Sequence, residues 1–228
     1  MRLYLLAATA LTTTISFLVP GVAAAQDYRD WSGGYVGVST GVVYSDALVS
    51  DSNFTDNDFT DSRTPVYARG ALLGVTAGYN RSMDGVVAGV EGDLSFATVH
   101  GERADTFSAY ETNLDALLTL RGRLGFTAGN ALFYGTAGFA AGHASFSATQ
   151  ANLFGTGPIP AEDSGIVGGV VAGAGVEYAL TDTLSIKTEG LTYELAALSG
   201  VGDAGKGSFE SDYAPGGVVV RTGLNLSF

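Results

Sequence analysis

From residue 31 onward the chain alternates. Val36, Val38, Val42 and Tyr44 fall on one parity of the stretch 31–44, and Gly37, Ser39 and Gly41 on the other. A two-residue period with unlike faces is the signature of a strand. The same reading predicts strands at 70–80, 86–99, 113–127, 131–147, 166–180, 184–198 and 216–228. In 86–99, Val86, Ala88, Val90, Leu94 and Phe96 oppose Gly89, Glu91 and Asp93; in 113–127, Leu114, Leu118, Leu120, Leu124 and Phe126 oppose Asp115, Thr119, Arg121 and Arg123. The sixth segment sets Val170, Val176, Tyr178 and Leu180 against Gly169, Gly173, Gly175 and Glu177, and the last runs Val218, Val220, Thr222, Leu224, Leu226 and Phe228. Two segments resist a clean assignment. In 131–147 both parities carry aromatics, and in 184–198 Leu191, Tyr193 and Leu195 share a parity with Lys187 and Glu189, as a bulge or an extension above the membrane would produce.

The connections alternate as well. The short ones, NRSMDG at 80–85, TAGNA at 127–131 and LTDT at 180–183, have tight-turn chemistry. Long outer loops are expected at 45–69, 100–112, 148–165 and 199–215. Short turns at one end and long loops at the other are the rhythm of an outer-membrane barrel.

The faces point the same way. A soluble barrel keeps charge outside, whereas these strands put Glu, Asp and Arg on the face that carries the glycines. Mean hydropathy is positive, +0.24, yet after residue 25 no apolar run approaches the length of a spanning helix. A hydrophobic chain without such a helix crosses lipid as a closed barrel, because lipid leaves no partner for an unpaired backbone group. The expected fold is therefore an all-β, eight-stranded antiparallel up-and-down transmembrane β-barrel.

Residues 1–25 read as a cleaved signal peptide: Arg2, an apolar stretch from Leu3 to Val19, the breaker Pro20-Gly21, then Ala23-Ala24-Ala25 before Gln26. The barrel then occupies 26–228. The net charge of −12 argues against a nucleic-acid partner. The absence of cysteine removes disulfides and thiol catalysis.

The inward parity collects Glu91, Asp93, Asp115, Glu177 and Glu189 against Arg121, Arg123, Lys187 and Arg221. An eight-stranded barrel is only wide enough for side chains to fill it. These charges are expected to meet and pair, as a plug rather than as the constriction of a pore, and inward glycines let bulky neighbours pack. Trp31, Tyr35, Tyr44, Tyr79, Phe126, Phe133, Tyr134, Tyr178 and Phe228 are expected at the strand ends, as aromatic girdles.

Other chemistry is sparse. The loops hold thirteen acids against four bases, a solvated surface. SDSNFTDNDFTDS lacks the glycine and terminal Glu of a calcium loop, so no metal and no cofactor is expected. His143 and Ser145 lie two apart on one strand face and weakly resemble the His-x-Ser pair of barrel enzymes that deacylate lipid A. The residues after the serine depart from that motif and no acidic partner is evident, so no catalytic residue is expected.

WSGGYVGVSTG, GVVAGVEGDLSF, LRGRLGF, YGTAGFAAG, GVVAGAGVEYALTDTLSIKTE and the final VRTGLNLSF occur in an order that resembles the small outer-membrane β-barrels of alphaproteobacteria, porin-like or opacity-like proteins related to the OmpA transmembrane domain. The resemblance covers essentially the whole chain after residue 25 and departs at GLTYEL. It implies residence in the outer membrane, contact with its lipids and lipopolysaccharide, and roles in envelope integrity, surface antigenicity and sometimes small-solute passage or haem binding. It also implies that Phe228 is the aromatic read by the barrel-assembly machinery. The function expected is a non-enzymatic structural role in envelope integrity and loop-mediated surface interactions, with a passive small-solute pore as the first alternative and a lipid A-modifying barrel enzyme, through His143 and Ser145, as the second.

Overall fold

The computed structural model describes residues 29–55, 58–104, 108–150, 159–196, 198–203 and 208–228. The expected signal peptide, 1–25, lies outside the described residues. The strands are β1 (Gly33–Thr55), β2 (Asp58–Met83), β3 (Val86–Ala104), β4 (Ser108–Ala128), β5 (Ala131–Gln150), β6 (Ile159–Ala179), β7 (Leu184–Leu195), β8 (Leu198–Asp203) and β9 (Ser208–Ser227). Each pairs antiparallel with its neighbour from β1 to β7, β7 pairs with β9, and β9 returns to β1 from Tyr35↔Ser227 to Asn53↔Phe209. The ring thus has eight members. The short β8 stands above β7 and pairs with β9.

The turns obey local chemistry. Met83 and Val86 are joined by Asp84 and Gly85, both at positive φ (49° and 82°), the hairpin turn that Asp-Gly favours because it matches strand twist. At the β6–β7 turn the Thr181 hydroxyl accepts from the Leu184 amide at 3.0 Å.

The long outer loops expected at 45–69, 100–112, 148–165 and 199–215 are corrected. Strand pairing continues through most of them: β1 and β2 stay in register up to Thr55↔Asp58, and β5 and β6 up to Gln150↔Ile159. The apolar–polar alternation of the sequence fades there because no lipid imposes an apolar outer face, while the backbone ladder needs none. Sequence periodicity therefore marked the membrane-facing length and not the length of the strand.

The outward face is a belt of Val36, Val38, Leu73, Val75, Val90, Leu118, Leu120, Leu124, Phe139, Val170, Val218, Val220 and Leu224, all exposed. Below it Tyr79, Phe126, Phe133 and Tyr178 form the girdle at the short-turn end, with the Phe126 and Phe133 rings stacked 5.5 Å apart, and Phe228 is exposed at the same end. Tyr44 and Tyr67 lie outward at the other. Trp31, Tyr35 and Tyr134 are corrected: they are buried inside the barrel. A ring next to the lumen at a strand end has the same sequence position as a girdle ring, and parity alone separates them.

Candidate functional site: the barrel interior

The interior is built in three tiers. Nearest the short turns lie Trp31, Val87, Leu132, Tyr134 and Ala179. The middle holds the charges. Above them Val43, Leu72, Val99, Leu114, Leu117, Val167, Val171, Leu191, Tyr193, Leu195 and Val219 close into one apolar cluster. β7 shows how this arises. Its alternation is unbroken from Leu184 to Leu195, so Lys187, Glu189, Leu191, Tyr193 and Leu195 all point inward. The parity conflict in the sequence is thus no change of register. The lumen itself changes from ionic to apolar along the strand.

Eight of the nine predicted lumen charges meet in the middle tier. Arg121, on β4, donates to Glu91, to Asp93 at 2.6 Å and to Glu189 at 3.3 Å, with none of its side chain exposed. Arg221, on β9, reaches the Glu189 and Asp93 carboxylates from the opposite wall. Lys187 donates to Glu91 at 2.9 Å. Arg123 donates to Glu177 at 2.8 Å and to the Tyr35 hydroxyl at 3.0 Å, and its guanidinium carbon stands 4.0 Å from the Tyr134 ring centre. Four acids face four bases, so the tier is neutral when all are ionised.

Neutral partners complete the network. Thr76 and Thr119 donate to the two oxygens of Asp93, Ser185 and Asn225 to Glu177, Tyr35 to Glu91 and Tyr134 to Glu189. Of these, sequence reasoning set Thr119 on the inward face, placed Tyr35 and Tyr134 in the girdles, and gave no role to Thr76, Ser185 and Asn225; inward parity was the available signal. The tyrosines reach their acids only because the facing residues lack a side chain. A Cβ on Gly78 would stand 2.4 Å from the Tyr35 hydroxyl, and one on Gly175 2.6 Å from that of Tyr134. Ionic groups in a dry interior are tolerated only when paired, and each of the eight charges has an ionic partner here, although the Nε groups of Arg121 and Arg123 have no acceptor among the described residues. Glu91, Asp93 and Glu189 lie close enough together to resemble a metal group. The guanidinium of Arg121 contacts all three, which supplies the positive charge an ion would bring.

Asp115 is the exception, and its inward assignment is corrected. β4 carries one extra residue between Leu114↔Ala144 and Ala116↔His143, while β3 skips from Phe96 to Val99 opposite the same point. The bulge flips parity: Arg121, Thr119 and Leu117 point inward below it, Leu114 and Thr112 above it. Asp115 is left outside, 62% exposed, with its Oδ2 3.3 Å from His143 Nδ1. That supplies the acidic partner for His143 that sequence did not reveal. No hydrogen bond joins His143 to Ser145 among the described residues.

Further out, above the belt, His100 sits between the Asn113 amide oxygen at 2.6 Å and Glu102 at 2.9 Å. These hydrogen bonds, Asn113 foremost, raise its pKa.

Residues 10–221 match the outer membrane protein β-barrel domain. Across 217 residues the chain is 31% identical to the 31 kDa outer-membrane immunogenic proteins of Brucella melitensis biotype 1 and Brucella suis biovar 1, covering 90% of this chain and 87% of each relative. Among solved structures, the outer membrane protein OprG of Pseudomonas aeruginosa superposes with a TM-score of 0.57 at 14% identity, over 89% of this chain and 100% of OprG. The chain belongs to the outer-membrane β-barrel family, and its place is the outer membrane.

Proposed function

We propose that this protein is a structural and surface-presenting component of the outer membrane whose lumen conducts nothing and which catalyses no reaction. The observation that carries this reading is the neutral ionic tier closed between two apolar ones: a solute path would have to break both the network of Arg121 and the packing of Leu191, Tyr193 and Leu195. The immunogenic outer-membrane proteins that it resembles agree with surface presentation. Phe228, exposed at the last strand, serves the assembly machinery, and lipids and lipopolysaccharide contact the belt.

Deletion of the gene tests it. The expected outcome is greater sensitivity to detergent and leakage of periplasmic enzymes, both restored by the chain, with unchanged uptake of small solutes. Slower solute uptake with an intact envelope would favour the pore instead. The deacylase reading requires that lipid A mass change on replacement of His143 or Ser145, and no change is expected.

A further inference from the structure

The two histidines of the chain both stand on the outward face, and β4 runs between them. Successive outward residues of β4 meet them: Glu111 and Asn113 reach His100 on β3, and Asp115 reaches His143 on β5. His100 is the more fully bound. Its Nδ1 meets the Asn113 side-chain oxygen and its Nε2 the Glu102 carboxylate. The Asn113 amide nitrogen donates to Glu111 at 3.4 Å, which turns the amide oxygen toward the imidazole. An amide oxygen and an ionised carboxylate only accept, so both ring nitrogens have to donate, and a ring with two donors is an imidazolium. That charge has a use. Glu102 and Glu111 are direct cross-strand partners, both exposed, and like charges directly opposite destabilise an antiparallel pair. His100 stands 2.9 Å from the first and 3.9 Å from the second.

The other strands bring two further titratable or charged groups to this face. From β2, Arg69 is the direct partner of His100, and Tyr67 lies two residues further out on the same exposed face. On β5, His143 is occupied with Asp115. The Arg69 cation works against protonation of His100, whereas the hydrogen bonds from Asn113 and Glu102 and the nearby carboxylates favour it and raise its pKa. A raised histidine pKa gives stabilisation that is complete below the ordinary value of about 6.5 and is lost as the pH rises through the raised one. We infer that the outer end of the β3–β4 pair is a pH-sensitive surface device: protonated His100 clamps Glu102 to Glu111, and once His100 is neutral the two carboxylates drive the strand ends at Ala104 and Ala109 apart. The device belongs to the exposed hairpin and works whether or not the lumen conducts.

The chain has no cysteine, so spin labels can be placed at will. Ala104 and Ala109 are direct cross-strand partners, and Ala104→Cys/Ala109→Cys carries one nitroxide on each strand. The chain lacking residues 1–25 is refolded in a maltoside detergent with these labels, and each variant is verified as folded by heat-dependent gel mobility. Dipolar broadening between the labels is expected at about pH 5.5 and its loss at about pH 8.5, on either side of the range in which histidine titrates. His100→Gln should abolish the response to pH, and His143→Gln should leave it intact. Glu102→Gln/Glu111→Gln, which removes the repulsion, should stay broadened at both pH values. A spectrum of the labelled protein that does not change with pH overturns the inference. So does a response that survives H100Q, one that disappears in H143Q, or loosening of E102Q/E111Q at the higher pH.

Discussion

Arg121 and Asp93 meet at 2.6 Å across the β3–β4 pair with at most 1% of either side chain exposed, and Arg221 reaches the same carboxylate from β9. One carboxylate therefore ties together strands on opposite walls. Replacing Arg121 by Met leaves Glu91, Asp93 and Glu189 facing Lys187, Arg221 and, at 3.6 Å from Glu91, Arg123. The expected loss is about 3–5 kcal/mol, that of an uncompensated buried charge. R121M/E91Q, with the balance restored, should lose less than the sum of the single variants in a double-mutant cycle of urea unfolding from vesicles.

The belt makes a second prediction. Leu120 and Val220 point into lipid, 64% and 46% exposed. Arg at either should cost about 2–4 kcal/mol if it lies at the midplane. Asn130→Arg, in the exposed β4–β5 turn, should be neutral within about 0.5 kcal/mol. Equal tolerance at all three would overturn the face assignment.

Asp115 separates the bulged register from an unbroken one. With its carboxylate outside and its pairing to His143 exposed, Asp115→Asn should change stability by at most about 1 kcal/mol. Glu91→Gln, inside the network, should cost several times more. A large loss from D115N would return that residue to the lumen.

Glycines divide by face in the same way. A Cβ on Gly175 would lie 2.6 Å from the Tyr134 hydroxyl and 2.8 Å from Glu189 Cβ, whereas one on Gly190 meets nothing within 4 Å. Gly175→Ala should lower the unfolding midpoint, by about 1–3 kcal/mol for overpacking. Gly190→Ala should leave it unchanged.

Much of this architecture was legible because lipid enforces alternation. Val36 to Tyr44, Leu118 to Phe126 and Val218 to Leu226 declare their faces residue by residue, and the ionic residues on the opposite parity identified eight of the eight groups that meet inside. What alternation could not reveal is where it loses its cause. Above the belt the outward residues of β1 and β2 need not be apolar, so strand read as loop. At Asp115 a single extra residue inverted the parity with no mark in composition. Leu191, Tyr193 and Leu195 looked misplaced because a lumen was expected to be polar throughout, although a narrow barrel is filled by whatever side chains pack. Tyr35 and Tyr134 looked like girdle rings for the same reason, and the glycines that accommodate them, Gly78 and Gly175, lie on other strands.

The closed interior is the claim on which the functional reading stands, and planar-bilayer conductance tests it most directly. The chain lacking residues 1–25 should be electrically silent, and a variant with Arg121 and Arg123 neutralised should show, at most, irregular openings as the ionic tier loosens. Steady, reproducible unitary conductance from the unaltered protein would contradict the account and make the same arginines the constriction of a pore.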